Sequence, residues 1–567
     1  MIKHISPISG IAAFQGQYVL TAGYDNRVIL WDAASRTSLA QGAHDHLANQ
    51  CAFSDDGTLA ASSGSDYSVR IWSLPSMRLL QVLTVHTDDV EGIAFHPNKP
   101  WLASCSRDHT LALHDLNGEL LQRFEGHKAD VISVAWHGHS DTLISSSDDG
   151  TIKRWDANTG EMIEDIDLGG IETDTIAITN EGVIYAGNDD GEIIIINGDQ
   201  KRYMQAHRAG IKRLVYDNEQ QALVSLSYDR QVKIYNCQEG PKLVHTADLP
   251  VIVWPRSCAF LDADNLVFVS FGSSWAQYNY KTATWTLDHI EDTHGVNAVC
   301  QYQDSMYTVG DSGKVYKDKQ LITELPSLCN FLTPFGDFLL TGGQTGEIFD
   351  ALTGATIYQH HSPLNCATTF ERDGQQLAII GTYTGEGVVL NLNEQRQPEY
   401  LTELHLHSNA IKGICADQDM IFSVSADSGA MFYRIADFIK GAEHRHAHDM
   451  IANGCACSDA GRFVSVSRDL KLRIWENMEA SVVDTPNQNS IKCVGMSADG
   501  EFVVTGNYAG FIGVYQVSSQ RWVSWFRPTN AGISSLTRLA SGDFVASSYD
   551  GNLYTVPVSS RLAEQVA

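Results

Sequence analysis

The 567-residue sequence is short of basic side chains, with 39 Lys and Arg against 68 Asp and Glu and a formal net charge of −29. No run of Lys and Arg interrupts that excess, so a nucleic-acid coat or an electrostatic membrane anchor is not expected. Proline is scarce beside glycine, 14 against 46, which points to many tight turns. Apolar runs are short: none approaches the roughly 18 residues that span a bilayer, and Met1 to Pro7 lacks the apolar core of a signal peptide. The 11 cysteines stand singly apart from Cys455 and Cys457, so a reducing compartment, the cytoplasm, is expected rather than a disulfide framework. Phosphate-binding Gly-Lys-Ser/Thr loops, His-Glu-x-x-His helices and Gly-x-Ser-x-Gly elbows are all missing. With 43% hydrophobic and 19% charged residues, the chain has the material for packed cores.

What is present is a repeat. Residues 126 to 156 read Gly-His-Lys-Ala-Asp-Val-Ile-Ser-Val-Ala-Trp, a turn, Thr-Leu-Ile-Ser-Ser-Ser-Asp-Asp-Gly, and Thr-Ile-Lys-Arg-Trp-Asp. Three short apolar runs separated by polar turns are the signature of strands. The frame recurs at Trp31, Trp72, His114, Tyr235 and Trp475, each six residues after an acid. Those acids are Asp25, Asp66, Asp108, Asp229 and Asp469, with Asp149 in the same place before Trp155. A His precedes many of them by about one hairpin, and the pairs are His44 with Asp66, His86 with Asp108, His127 with Asp149, His207 with Asp229, His407 with Asp427 and His448 with Asp469.

These Gly-His and Trp-Asp marks resemble the WD40-repeat family, whose repeat of about 40 to 45 residues builds a four-stranded blade. The resemblance implies that His, a Ser or Thr, Asp and Trp form a hydrogen-bonded group in each blade. Third-strand frames fall at fourteen places, about 40 residues each, too many for one ring and right for two rings of seven. An all-β fold of two seven-bladed propellers in tandem is therefore expected, over 1–288 and 289–567. The piece from Met1 to Ile5 is expected to add an outer strand to a terminal blade, and Asn552 to Val558 to end the last one.

Repetition argues that the His–Asp pairs are structural and not acid/base dyads. The alternation of His444, His446 and His448 has metal-ligand spacing, but His448 is in the repeat register and no metal is expected. Cys455 and Cys457 fall at first-strand core positions, and the Asp-Asp-Gly runs at 55–57, 148–150 and 189–191 read as turns. Asp25, Asp190 and Asp550, with the paired acids, are expected to have internal roles. The residue before the repeat Asp varies, and Tyr24, Arg107, Tyr228, Arg468, Tyr508 and Tyr549 at that place are candidates for a binding face, since Tyr and Arg dominate interface hot spots. The expectation is a non-enzymatic scaffold or adaptor without cofactor, catalytic residues or metal, which binds proteins with basic segments and neither nucleic acid nor membrane. The alternative is a propeller enzyme or metal-dependent hydrolase in a central channel, which needs acids or His from several blades at one mouth; no blade-specific set of that kind is evident in the sequence.

Overall fold

The computed structural model describes residues 2–558; Met1 and the tail after 558 lie outside it. Every regular element is a β-strand among the described residues, in fourteen antiparallel sheets, thirteen of four strands and the last of three. Sheets are blades 1 to 14 in chain order, each running inner, second, third and outer strand. The chain divides into two compact units, Met1–Thr293 and His294–Ala567, with seven blades each.

In each unit the inner strands pack side by side in a cycle. Inner strand Ile8–Phe14 of blade 1 meets both Ala48–Phe53 of blade 2 and Val253–Phe260 of blade 7. In the second unit Val296–Tyr302 of blade 8 likewise meets Ile533–Arg538 of blade 14. Closure turns the inner edges of the sheets toward the channel, where they are short and sheltered from another chain.

Burial explains why these short runs become strands of these ranks. Second strands such as Thr142–Ser147 bury almost every residue because they are covered on both faces, whereas the outer strand Ser38–Ala43 alternates half-buried and exposed residues. The core lies between blades: Leu20, Val28 and Leu30 of blade 1 pack against Cys51, Ala60 and Trp72 of blade 2. Gly42 of the outer strand is required there, since a Cβ would lie 2.5 Å from the Trp72 ring.

A second device joins the blades at the inner strands. The second residue of an inner strand donates its side-chain hydrogen bond to the carbonyl of the first residue of the next inner strand. Asn49 bonds Val90 O at 3.2 Å, Asn330 bonds Leu364 O at 2.9 Å, Asn365 bonds Ile411 O at 2.8 Å and Asn453 bonds Ile491 O at 2.7 Å. Asn297 reaches Cys329 O, while Ser9 and Ser534 do the same to Ala48 and Val296. Elsewhere the position is Glu91, Ile132, Asp174, Lys212 and Trp254 in the first unit, and Lys412 and Lys492 in the second.

The N-terminal residues 2–7 form no strand, contrary to the expectation of an outer strand. The His4 amide instead donates to Ser273 O of blade 7 at 3.0 Å, while its ring enters blade 1, so the segment ties the seam of the first ring. At the other end Leu553–Val556 is the third strand of blade 14.

Candidate functional site

Each His–Asp pair sits in a relay. In blade 4, Trp155 Nε1 donates to Ser145 Oγ at 2.9 Å, Ser145 lies 2.8 Å from His127 Nε2, and His127 Nδ1 lies 2.9 Å from Asp149. Because the Asp149 carboxylate can only accept, the proton of the neutral ring lies on Nδ1, and Nε2 accepts from the Ser145 hydroxyl. The same contacts join His44, Ser62 and Asp66, His86, Ser104 and Asp108, His207, Ser225 and Asp229, and His407, Ser423 and Asp427. Burial pushes Asp66, Asp108 and Asp149 up, but the His hydrogen bond and charge with neighbouring Ser, Thr and amide donors outweigh it and hold all three well below the usual carboxylate range.

Blade 1 has the same set, supplied by His4: its Nδ1 is 2.9 Å from Asp25 and its Nε2 2.8 Å from Thr21, which accepts from Trp31. Sequence reasoning missed His4, although its separation of 21 residues from Asp25 matches the other pairs. Blade 12 departs from the pattern. Arg473 Nη1 donates to His448 Nδ1 at 2.7 Å and to Asp469 at 2.7 Å, so His448 Nδ1 is an acceptor and its proton sits on Nε2 toward Ser465. Asp190, expected to be internal, is exposed: its blade has Gly169 and Gly170 where the His would stand.

The repeat-Asp turn and the start of the inner strand share one end of each unit, as the pairing of Ile8 with Gly23 shows. Side chains at both places therefore converge on a central mouth. In the first unit Arg107 bridges Glu91 and Asp130, both at 2.5 Å, and Lys212 bridges Asp189 at 2.7 Å and Asp174. Arg256 lies over the rings of Trp254 and Tyr24, and Lys212 over Tyr228 at 4.9 Å. Six carboxylates, Glu91, Asp130, Asp148, Glu172, Asp174 and Asp189, thus surround three cations, and the ion pairs leave Asp148 and Glu172 outside. Burial, then the charges of Asp189 and Asp174, pushes Glu172 up to about 7, and burial with Asp174 and Asp130 pushes Asp148 up as well.

This convergence corrects one expectation. Acids from several blades do meet at one mouth; Asp148 and Asp189 come from the very Asp-Asp-Gly turns read as turns only, and Asp130, Glu172 and Asp174 flank inner-strand starts. Tyr24, Arg107 and Tyr228, candidates for a binding face, are all placed at this mouth. Tyr24 packs edge-on to Trp254 at 5.4 Å, and Arg107 holds two carboxylates that would otherwise face each other unneutralised.

In the second unit Tyr549 lines a cavity of about 260 Å³ bounded by inner strands. Tyr508 lies under Lys492, ring centroid to Nζ 6.0 Å, and the Arg468 amide donates to Ile451 O at 3.1 Å. Cys455 and Cys457 are half-buried and pack against the core between blades 11 and 12, with their Sγ atoms resting on Phe422 O and Ala416 O of the preceding blade. His444 packs on Trp475 at 5.1 Å while His448 belongs to its relay. No three His, Cys, Asp or Glu side chains among the described residues come together in a way that could hold a metal ion.

Four-stranded sheets whose inner strands close in a cycle of seven around a mouth define, in each unit, a seven-bladed β-propeller, and the buried relay recurs in seven of the fourteen blades. The WD40 family model, WD domain, G-beta repeat, matches residues 37–73, 77–115 and 118–156, each the outer strand of one blade with three strands of the next. These three segments are WD40 repeats. It is 25% identical over 238 residues to the Target of rapamycin complex subunit wat1 of Schizosaccharomyces pombe, 39% of this chain and 74% of that one. To Pre-mRNA-processing factor 19 of Bos taurus it is 30% identical over 119 residues, 20% of this chain and 24% of that one. The crystal structure of RRP9 WD40 repeats covers 48% of this chain and 88% of its own at 20% identity, with a TM-score of 0.43.

Proposed function

We propose that this protein is a non-enzymatic scaffold or adaptor that binds other proteins at its propeller mouths and holds them in a multiprotein assembly. The name of the relative wat1 as a complex subunit supports that reading. The partners present a basic segment to the first unit, and the observation that carries this is the pair Asp148 and Glu172, two desolvated carboxylates outside the ion pairs of their mouth. A Lys or Arg side chain entering there would neutralise charge that burial makes costly. Nucleic acid and anionic membrane, repelled by the same acids, are not partners, and the protein works in the cytoplasm without a cofactor.

The test is affinity capture from the native host by the full chain and by its D148N/E172Q variant. Removing two repelling charges stabilises the fold, so loss of capture reports recognition and not unfolding. Partners should be lost from the variant, and from the unaltered chain at high salt; equal capture by both proteins overturns the reading.

A further inference from the structure

The inner-strand clasp marks where this fold has given up a structural bond. Five of the seven seams in the second unit keep it through Asn297, Asn330, Asn365, Asn453 and Ser534; the other two carry Lys412 and Lys492. A lysine there occupies a position that at the other five seams of this unit binds blade to blade, and local rules of a fold are broken mainly at functional sites. Both lysines line the cavity of about 260 Å³, and no Asp or Glu is among the residues lining it. In a chain of net charge −29 that is a local reversal of sign.

The lysines are on blades 11 and 13, with Asn453 on the blade between them. Asn453 lines the same cavity, and of its two amide hydrogens the clasp to Ile491 O uses one. Tyr383 and Tyr508 underlie the lysines, with ring centroids 4.8 and 6.0 Å from Nζ, and hold them in place by cation–π contact. Arg468 stands before the repeat Asp on the same intervening blade, while the acid of this mouth, Asp311, is on blade 8, where it accepts from Asn297 at 2.9 Å. Two point charges and an amide donor in a polar channel suit a compact dianion with several acceptor oxygens, which is the description of a phosphate group.

We propose that the channel of the second propeller is a phosphate-binding site built on Lys412, Lys492 and Asn453. This is independent of the acidic mouth of the first unit. The group is either free inorganic phosphate or a phosphorylated side chain offered by a partner segment; a nucleic-acid backbone does not fit a channel ringed on all sides.

Titration calorimetry of the full chain tests it with inorganic phosphate and with a short phosphoserine peptide. Saturable binding near one equivalent is expected, lost at least tenfold in K412Q or K492Q and abolished in the double variant, with the exposed K440Q unchanged. Tighter binding of the peptide than of free phosphate by tenfold or more assigns the partner-borne group, and equal or weaker binding assigns the free ion. Should the double variant fold poorly, the unaltered protein still decides: sulfate, also a tetrahedral dianion, displaces phosphate, whereas chloride at equal ionic strength does not. Absence of binding by either probe, retention of it in the double variant, or equal displacement by chloride overturns the proposal.

Discussion

At the scale of single residues, the repeated relay constrains which histidine nitrogen carries the proton, and one blade reverses it. The Asp149 carboxylate, which can only accept, holds Nδ1–H on His127, whereas the Arg473 guanidinium donating to His448 Nδ1 forces Nε2–H. Long-range proton–nitrogen NMR correlations should therefore report opposite neutral tautomers for these two residues, and the same tautomer in both would refute the assigned hydrogen-bond directions. Glu172 supplies a second prediction at this scale. Its carboxyl, facing Asp130, Asp174, Asp189 and Lys212, is held up at about 7 by burial and by Asp189 and Asp174, against an unfolded value of about 4.3. The folded state thus binds the extra proton between those values, so stability contributed by the protonated form is lost as pH rises through about 7. Glu172→Gln should stabilise the protein by about 1–2 kcal/mol above that pH, after allowance for its partial exposure, and by little near pH 4. Chemical denaturation at the two pH values measures the difference.

At the scale of the element, the inner strands do two jobs with one position. Where the second residue is Asn or Ser, it satisfies a backbone carbonyl of the next blade that the channel side cannot otherwise pair. Asn453→Ala removes the donor and leaves Ile491 O buried, a cost of about 1–2 kcal/mol, whereas Asn453→Ser, with a hydroxyl that can donate as those of Ser9 and Ser534 do, should recover part of it. Denaturant midpoints of the two variants give the comparison; identical losses would mean that the clasp contributes nothing. Where the second residue is Glu91, Asp174, Lys212, Lys412 or Lys492, the bond is replaced by charge at a mouth. These exceptions are the elements in which local pattern and function part company.

At the scale of the whole molecule, each ring closes without help from a shared edge strand among the described residues, and the first is tied by residues 2–7. His4 fills the relay of blade 1 while its backbone bonds blade 7, so removing the segment strips the nearly inaccessible Asp25 of its partner. Breaking a buried pair from one side costs about 3 kcal/mol or more. A chain lacking residues 1–7 should lose amide-exchange protection in blades 1 and 7, with blades 8–14 unchanged; uniform loss, or none, would contradict the tie.

The repeat frame was legible in the residues because every relay closes within one blade, over 16 to 22 residues of chain, so that spacing alone carries the geometry. Even His4 had the right separation from Asp25, and only its place before the first strand hid it. Blades 8 to 10, where Ser312, Thr345 and Thr384 replace the acid, still fold as blades, since inter-blade apolar packing such as Val315 and Leu339 about Phe349 does not need the relay. The mouths were not legible. Asp130, Asp148, Glu172, Asp174 and Asp189 occupy three repeat positions on two blades, and their meeting, like the lining of the Lys412 and Lys492 cavity without an acid, exists only after the inner strands close into a ring.

Sequence by itself therefore determined the class of fold, the number of blades and the His–Asp pairs, because these rest on periodicity and on contacts local to a blade. Tertiary structure alone decided which charges share a desolvated space: that depends on ring closure, which brings residues from successive blades to one axis and removes the water that would have screened them.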